Sequence, residues 1–477
     1  MPENFFIDIT VRYDYDCCHT QTQGEIMDSA TYKARRKVLR KTVTGGVMLF
    51  FGNNDSSRNY RDNIYPFRQD SNFIYLTGIN KPGMALMIFP DGKEMLFGDP
   101  GHPDDLIWSG PSKSLEELAD GAEIAQFESI DKLAELVEVT VEHKVKVHFL
   151  PSYRPGRKSK LAELLGSAEP SQDLIKAIVA LREVKSDEEI AEMEQAIAVS
   201  ALMYQAAFNV TKTDLTEARI RGMIEGIAMM ENLPMSFPPI VTTHGEVLHN
   251  ITFENTLEDG QLLLVDSGVE SKGYCSDITR TIPVSSVFSI KQKDIYNTVL
   301  RGQEAAINAI LPGATNKDVH FAAATAIVDG LKDVGLMTGD TQEAVSAGAH
   351  ALFYPHGIGH MIGLDVHDME DLGDAVGYAE GSSRSDQFGL AYLRLAKELK
   401  PGFTITIEPG IYFIPELIDR WKADKMHSSF INYEAVEKYK DFGGIRIEDD
   451  LLVTAEGSRV LGPPIPKTTD DIEVLMG

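Results

Sequence analysis

The chain has few cysteines, few tryptophans and a shortage of basic residues. Its 477 residues include three cysteines, two tryptophans and 45 lysines and arginines against 72 aspartates and glutamates. The cysteines, Cys17, Cys18 and Cys275, contain no Cys-x-x-Cys pair and are too few for a disulfide framework. The net charge of −27 argues against nucleic acid or an anionic membrane as the main partner, because both are polyanions.

Long apolar runs are also missing. Neither the N-terminal segment nor any later stretch has the pattern of a signal peptide or of a membrane span, which needs about 20 apolar residues. We therefore expect a cytoplasmic protein without a membrane partner. The composition, 43% hydrophobic and 25% charged, is that of a globular protein, and the length is sufficient for two or three domains.

Strand and helix patterns alternate in the first part of the chain. Residues 29–41 predict a basic amphipathic helix, and five apolar segments predict strands: GVMLFFG, NFIYLTG, MALMIFP, KEMLFGD and KVHFL. Two segments between them, 114–127 and 129–143, predict helices, and PSYRPGRKSK (151–160) predicts a loop near the domain junction. Strands that alternate with helices indicate an α/β domain over residues 1–165.

The second part predicts an α+β domain over residues 176–465. A long helical segment begins near Ile175, and within it Ser186 and Glu189 form a capping-box pattern. Further helices are predicted over 214–232, 289–311 and 316–334. Strand patterns dominate the rest from Ile240 onward, and this domain carries the chemistry.

Four carboxylates and one imidazole in this domain suit a metal site. They are Asp266 and Asp277 in LLLVDSGVESKGYCSDITRT, His360 in PHGIGHMIGLDVHD, Glu408 in ITIEPGIYF and Glu448 in GGIRIEDD. This donor set suits two divalent ions of intermediate hardness, such as Mn²⁺, Co²⁺ or Zn²⁺. Two such ions can activate a water between them, which indicates a hydrolase. Any one of these carboxylates taken alone is explained as well by a strand end that faces water.

The spacing predicts how these carboxylates meet. A hairpin turn centred on residues 271–272 would place Asp266 opposite Asp277, with Cβ atoms about 5 Å apart. Two carboxylates at that distance repel, and a shared cation would turn the repulsion into coordination. Period-two alternation places Glu408 and Glu448 on one face of their strands.

At these motifs the sequence resembles the pita-bread-fold metallopeptidases, which include methionine aminopeptidase, aminopeptidase P and prolidase. The resemblance spans roughly residues 176–465 and rests on five ordered motifs: VDSG, SDITRT, HGIGHMIGLDVHD, IEPGIYF and GIRIEDD. An earlier motif, FRQDSNFIYLTG, and Trp108 in IWSG resemble the creatinase-type N-terminal domain of the proline-specific members. Methionine aminopeptidases generally lack that domain, so the proline-specific branch is favoured.

The resemblance implies a role for each ligand. Asp266 would bind one ion, Asp277 and Glu448 would bridge two ions, and His360 and Glu408 would bind the other. An activated water between the ions would attack the scissile carbonyl. Glu408 would also accept a proton and then donate it to the leaving nitrogen.

Three histidines and one arginine match further positions of the family. His249 in VLHN, His356 and His367 would line the substrate pocket, and His367 would polarise the carbonyl and stabilise the oxyanion. Arg446 would orient the metal-binding carboxylates. The sequence departs from the family at Asn250, where an aromatic residue usually follows the first histidine. For each of the four, an ordinary structural role is the alternative.

Two segments resemble prolidase more than aminopeptidase P. They are GYAEGSSRSDQFGLAYLRLAKELKPG and the insertion IPELIDRWKADKMHSSFINYEAVEKYKDFGG. Arg394, in the first, matches the prolidase arginine that holds the terminal carboxylate of a dipeptide, and a guanidinium suits bidentate binding of a carboxylate. A surface position on an amphipathic helix is its alternative. The sequence therefore predicts an Xaa-Pro dipeptidase, with an Xaa-Pro aminopeptidase acting on longer peptides as the alternative.

A different class stays open as well. Some proteins keep the pita-bread fold as a non-catalytic peptide-binding module, and creatinase uses it without metal, but such relatives generally lack the full ligand set. The resemblance implies two divalent ions, with Mn²⁺ favoured and Co²⁺ or Zn²⁺ as alternatives. It also implies small peptide substrates with proline at the second position, and a homodimer.

Overall fold

The first part of the protein is built on a five-stranded sheet. The computed structural model describes residues 27–101 and 104–477. The strands of the first part are β1 (Gly46–Phe51), β2 (Ala85–Ile88), β3 (Glu94–Gly98), β4 (Gln126–Ser129) and β5 (Lys146–His148). Its helices are α1 (Ser29–Thr42), α2 (Ser71–Thr77), α3 (Asp105–Ser109), α4 (Leu115–Gly121), α5 (Leu133–Glu142) and α6 (Pro155–Leu165).

The strand order of this sheet is β4-β3-β2-β1-β5, with parallel pairs at both edges and antiparallel pairs in the centre. The central strand β2 is buried throughout, as a strand covered on both faces requires. The predicted basic helix and four of the five predicted strands are confirmed, and so is the α/β class of this part.

The fifth predicted strand, NFIYLTG, is wrong, because this segment is the helix α2. The Asp70 side chain accepts hydrogen bonds from the backbone nitrogens of Asn72 and Phe73, both at 3.0 Å, and caps the helix N-terminus. Gly78 ends the helix with φ +68°. Almost every side chain of α2 is buried, so its sequence shows no helical alternation and cannot be distinguished from a buried strand.

Two further boundaries differ from the prediction. Residues 151–160 are not a loop throughout, because α6 begins at Pro155, where a proline is tolerated in the first helical turn. The helix predicted over 114–127 ends at Gly121, and the last residues of that segment begin β4.

The second part contains longer helices and several small sheets. Its helices are α7 (Gln172–Arg182), α8 (Asp187–Val210), α9 (Glu217–Met230), α10 (Ile290–Ala309), α11 (Asn316–Asp333), α12 (Thr341–Ala347), α13 (Pro415–Ala423), α14 (Tyr433–Val436) and α15 (Thr469–Met476). Its strands are β6 (Ile240–Thr242), β7 (Leu262–Ser267), β8 (Glu270–Ser271), β9 (Tyr274–Cys275), β10 (Ile278–Pro283), β11 (Thr404–Ile407), β12 (Gly410–Tyr412), β13 (Gly444–Arg446), β14 (Asp449–Val453) and β15 (Ser458–Val460). The predicted capping box of Ser186 and Glu189 begins α8, and the α+β class is confirmed.

The small sheets bring the sequence motifs together. One sheet has the order β10-β7-β6, a second has β11-β14-β15, and β12 pairs with β13. A bridge between Thr279 and Glu448 joins the first sheet to the chain between β13 and β14, and a bridge between Met361 and Ile405 joins the HGIGH motif to β11. Residues more than 150 positions apart in sequence therefore become neighbours.

The predicted register of the aspartate hairpin is wrong by two residues. Glu270 pairs with Cys275, and Asp266 pairs with Thr279 rather than with Asp277. The reason is the turn: Lys272 and Gly273 both have positive φ, +48° and +92°, as a two-residue type I′ turn requires. A shift of two residues preserves the face on which each side chain lies, so both aspartates stay on the same side.

One ion pair joins the two parts of the protein, and a buried cluster of charges lies in the second part, at the end of the helix that begins it. Arg68 contacts Glu270 at 3.0 Å across the junction. Asp368, almost fully buried, lies 2.6 Å from the Arg182 guanidinium and 2.8 Å from the Lys185 ammonium. These contacts hold the segment that follows the HGIGH motif against the helices that precede the catalytic sheets.

Two further expectations concern membranes and cysteines. In the ranges that the structure covers, no helix combines the length and apolar character needed to cross a membrane. Cys275 is buried. Cys17 and Cys18 lie outside the described residues.

Candidate metal centre

The five predicted ligands converge where several strands end. Asp266 lies at the end of β7, Asp277 directly precedes β10, Glu408 directly follows β11, and Glu448 lies between β13 and β14. His360 is in the segment that bridges to β11. Four of the five are at least nine-tenths buried, and Glu408 is partly exposed.

His360 lies between two of these carboxylates. Its Nε2 is 3.5 Å from Oδ2 of Asp277 and 3.6 Å from Oε1 of Glu408. Its Nδ1 lies 3.0 Å from the carbonyl oxygen of Met361. A carbonyl can only accept, so Nδ1 carries the proton and the Nε2 lone pair faces the carboxylates. One ligand atom each from Asp277, His360 and Glu448 lie within 4.8 Å of one another.

The clustering of buried negative charge changes the acidity of these groups. Burial, followed by the neighbouring Asp266 carboxylate, raises the pKa of Asp277 well above its usual range. Burial, followed by Asp277, does the same to the pKa of Glu448, and burial raises the pKa of Glu408 to about 7. Burial lowers the pKa of His360, so the imidazole does not supply the missing positive charge.

The residues fit a divalent cation. Oδ1 of Asp266 is buried and has no hydrogen-bond partner among the described residues. This oxygen and the Nε2 lone pair of His360 have no donor among the described residues, and the carboxylates of Asp277, Glu408 and Glu448 crowd around them. Oxygen ligands with one imidazole are the donors that Mn²⁺, Co²⁺ and Zn²⁺ accept, and a buried unpaired carboxylate is otherwise costly.

Arg446 holds the Asp266 side of the cluster. Its Nη2 donates to the other Asp266 oxygen, Oδ2, at 2.6 Å, its Nη1 donates to the Tyr412 hydroxyl at 3.1 Å, and its Nε donates to the Thr279 hydroxyl at 3.2 Å. Thr279 in turn donates to Oε2 of Glu448 at 2.6 Å. The expected contact between Arg446 and a ligand carboxylate is present, and it leaves one oxygen of Asp266 open.

His356 and His249 lie at different depths. His356 Nε2 contacts the Tyr412 hydroxyl at 2.9 Å, and its Nδ1 is 3.8 Å from Oε2 of Glu408. Burial lowers the pKa of His356 to about 3. His249 is exposed and makes no hydrogen bond in the described part of the chain, and partial desolvation, followed by the nearby Arg446 charge, lowers its pKa. The structure thus brings His356 into the cluster and leaves His249 at its rim.

His367 and Arg394 are joined by a residue that the sequence analysis did not single out. The ring of His367 lies 4.1 Å from that of His360, centroid to centroid. His367 Nδ1 contacts Oε2 of Glu370 at 2.7 Å, and Oε1 of Glu370 accepts from Nη1 of Arg394. The hydrogen bond with His367 lowers the pKa of Glu370 to about 2, so this carboxyl is ionised at neutral pH. Arg394 follows a short 3₁₀ turn and is not on a helix.

Two cavities meet at His367 and Glu370. A cavity of about 30 Å³ is lined by His360, His367, Glu370 and Arg394, among others. A larger cavity of about 380 Å³ runs between the two parts of the protein, and His367 and Glu370 line it as well. His367 and Glu370 therefore line both cavities.

The residues that sequence reasoning missed are Thr279, Tyr412 and Glu370. The first two lie inside the quoted motifs SDITRT and EPGIYF, two and four residues from a ligand. For Thr279, period-two spacing along the strand that begins after Asp277 was an available signal. Glu370 lies three residues after His367, and only the fold shows that Arg394 approaches its other oxygen.

The α/β domain, the α+β domain and the buried carboxylate cluster together define a metallohydrolase of the pita-bread class. Residues 191–455 match the model of metallopeptidase family M24, and residues 32–148 match that of the aminopeptidase P N-terminal domain. The chain belongs to metallopeptidase family M24, as the sequence motifs predicted.

Individual relatives cover nearly the whole chain. A probable Xaa-Pro aminopeptidase from Fusarium vanettenii is 33% identical over 422 residues, which cover 87% of this chain and 88% of the relative. The human Xaa-Pro dipeptidase is 30% identical and covers 91% and 89%. The structure of Pseudomonas aeruginosa aminopeptidase PepP superposes with a TM-score of 0.80 at 28% identity, covering 94% of this chain and 98% of that one.

Proposed function

We propose that this protein is a metal-dependent peptidase that hydrolyses Xaa-Pro bonds, with a dipeptide as its preferred substrate. The single observation that carries the proposal is the buried cluster of Asp266, Asp277, His360, Glu408 and Glu448. The similarity to Xaa-Pro peptidases over about nine-tenths of the chain supports the proline specificity.

Two divalent ions would be held by these five side chains, with Mn²⁺ favoured and Co²⁺ or Zn²⁺ as alternatives. When bound, such ions lower the pKa of a water and polarise the scissile carbonyl. Asp266 keeps one oxygen for an ion because Arg446 occupies only the other. Asp277 and Glu448 are the proposed bridging carboxylates, and His360 and Glu408 the ligands of the other ion.

The other side chains would handle the proton and the substrate. Glu408, whose pKa is raised to about 7 by burial in the metal-free protein, would accept the proton of the nucleophile and pass it to the leaving nitrogen. His367 would polarise the carbonyl and stabilise the oxyanion, for which the imidazole must carry a proton on Nε2 in addition to the Nδ1 proton that faces Glu370. His356, next to Glu408, and His249, at the rim, would complete the walls of the substrate pocket.

Arg394 supports the preference for a dipeptide. It lines the small cavity together with His360 and His367. A guanidinium at this place would bind the carboxylate of the C-terminal proline. A peptide that continues beyond the proline would offer no terminal carboxylate to the guanidinium nitrogens that Glu370 leaves open.

The larger cavity favours a second candidate, an Xaa-Pro aminopeptidase that accepts longer peptides. Its volume of about 380 Å³ adjoins His367 and Glu370 and would accommodate residues beyond the proline. Relatives named Xaa-Pro aminopeptidase support this candidate, and the human Xaa-Pro dipeptidase supports the first.

The deciding experiment compares Ala-Pro with Gly-Pro-Ala as substrates of the Mn²⁺-loaded full-length protein, with a chelated sample as control. We expect chelator-sensitive cleavage of Ala-Pro. We also expect Arg394→Met to raise KM for Ala-Pro by about tenfold or more, since a charged hydrogen-bond partner is lost. Faster release of glycine from the tripeptide would favour the aminopeptidase. Absence of metal-dependent cleavage of both would favour a peptide-binding module.

The remaining proposals concern organisation. We place the N-terminal domain at residues 1–165 and the catalytic domain at 176–465. A homodimer in the cytoplasm, acting on small peptides with proline at the second position, is the assembly we propose, and light scattering of the purified protein tests its oligomeric part.

A further inference from the structure

Glu370 contacts two of the proposed substrate-binding residues at once. Its Oε2 lies 2.7 Å from Nδ1 of His367, and its Oε1 accepts from Nη1 of Arg394. The two partners are 27 residues apart in sequence and approach each other only through this carboxylate.

The backbone is shaped to make the double contact. Met369, the residue before Glu370, has φ +62°, a left-handed backbone conformation that residues other than glycine rarely adopt. The backbone nitrogen of Glu370 then donates to the carbonyl oxygen of His367 at 3.2 Å. This tight turn brings the carboxylate back over the imidazole. An uncommon backbone conformation next to a proposed pocket residue is often a functional feature.

The chemistry of the contact constrains both partners. The ionised carboxylate only accepts, so His367 donates through Nδ1 and its ring is fixed in one orientation. On the other side, the remaining nitrogens of Arg394 have no acceptor among the described residues. One edge of the guanidinium is therefore anchored, and the rest is open to a second carboxylate.

We infer that Glu370 is a positioning residue that links His367 to Arg394 and thereby sets the distance between the group that binds the scissile carbonyl and the group that binds the terminal carboxylate. This inference rests on the proposed function. A carboxylate that fixes both groups makes them one rigid unit, which matches a dipeptide and excludes chains of other lengths. Glu370 acts through its two neighbours and does not itself contact the reacting atoms.

Glu370→Gln tests the link with little change in shape. A carboxamide has one acceptor oxygen and one donor group, so it can accept from His367 or from Arg394 but not from both. The readout is the ratio of kcat/KM for Ala-Pro to kcat/KM for Ala-Pro amide, which lacks the terminal carboxylate. We expect Glu370→Gln to lower this ratio about tenfold, the effect of losing one charged hydrogen bond.

Two further variants make the result specific. In an Arg394→Met background, Glu370→Gln should leave the ratio unchanged, because the anchored partner is already absent. Glu380→Gln is the matched control: Glu380 lies in the same segment, pairs with Lys176 at 2.8 Å on the surface and should change nothing. An equal loss for both substrates, or an unchanged ratio, would overturn the link, since a merely structural role affects both substrates alike.

A readout without activity separates this inference from the proposed function. In the metal-free full-length protein labelled with ¹⁵N-histidine, the NMR signals of His367, assigned with His367→Gln, should show a single Nδ1-protonated form. In Glu370→Leu the two tautomers should mix. A mixed His367 in the unaltered protein overturns the inference, even if Ala-Pro is cleaved. If neither dipeptide nor tripeptide is cleaved but His367 is fixed by Glu370, the proposed function fails and the positioning contact stands.

Discussion

Buried charge is arranged in two different ways in this protein. Beside the end of the first helix of the second domain, Asp368 is matched by Arg182 and Lys185, at 2.6 Å and 2.8 Å. Burial alone would raise its pKa, but the two cations outweigh burial and the pKa is lowered. At the candidate metal centre the balance is reversed, because the pKa values of Asp277 and Glu448 are raised well above normal.

The difference separates structural ion pairs from a site built for a ligand. Asp368 has its counter-ions in the chain, so removing its charge leaves two buried cations without a counter-charge. Asp266, Asp277, Glu408 and Glu448 share a single arginine, Arg446, and this excess of negative charge is what a divalent ion would neutralise. The same residue type is thus structural in one place and available for binding in the other.

The largest expected effect is at the metal centre. Asp277→Asn should abolish Mn²⁺ binding and with it cleavage of Ala-Pro, because a proposed bridging ligand is lost. In the metal-free protein the same change should leave the free energy of unfolding unchanged or higher, since it removes part of the repulsion. Calorimetric Mn²⁺ titration and urea unfolding measure the two effects. Strong destabilisation of the metal-free variant would contradict the assignment of Asp277 to an electrostatically strained site.

The opposite effect on the free energy of unfolding is expected for the buried carboxylate of Asp368. Asp368→Asn should lower the free energy of unfolding by about 3 kcal/mol, because Arg182 and Lys185 would stay buried without their full counter-charge. Urea unfolding of the metal-free protein checks this value. A loss of unfolding free energy below about 1 kcal/mol, the range of surface ion pairs, would show that the Asp368 carboxylate is not needed as a counter-charge, in contradiction to the difference from the metal centre described above.

A buried histidine without a hydrogen-bond partner among the described residues gives an effect of similar size, and this effect depends on pH. His350 is fully buried, neither ring nitrogen has a hydrogen-bond partner in the described residues, and burial lowers its pKa to about 4. Below pH 6.5 the imidazole of His350 binds a proton in the unfolded chain but stays neutral in the folded protein until the pH approaches 4. Stability is therefore full above pH 6.5 and falls towards pH 4, by about 3 kcal/mol from this residue.

Unfolding measured at several pH values tests this expectation with His350→Phe. The variant should have a flatter profile between pH 6.5 and 4 than the unaltered protein. His143→Phe, at an exposed histidine, is the control and should leave the profile as it is. Parallel profiles for the unaltered protein and His350→Phe would show that His350 does not cause the acid sensitivity.

The smallest effect on the free energy of unfolding is expected for the exposed ion pair of Arg384 and Asp374. Arg384 contacts Asp374 at 2.8 Å, and both side chains are more than a third exposed. Asp374→Asn should change the free energy of unfolding by less than about 1 kcal/mol, because water and salt screen the pair. A change as large as that of Asp368→Asn would mean that burial does not explain the difference in stability between this exposed pair and the Asp368 ion pairs.

The site was more predictable than the local structure around it. The five ligands, Arg446 and three histidines stand in ordered motifs, and a donor set of four carboxylates and one imidazole indicates divalent metal before any fold is known. The segment 71–77 was misassigned as a strand because a helix buried on all sides has no alternation. The hairpin register failed because a two-residue turn can begin at Ser271 or at Lys272, and each choice gives a different pairing of the strands.

What the sequence by itself determined is the chemistry: the class of metal ligands, the family, the α/β and α+β domains and the residues that would hold a carboxylate or a carbonyl. Only the tertiary structure decided which of these groups meet. Glu370 and Thr279 belong to the site because backbone turns and strand pairing bring residues distant in sequence within hydrogen-bond distance. Residue types are fixed locally along the chain, but distances between side chains arise from packing, where each position depends on all the others.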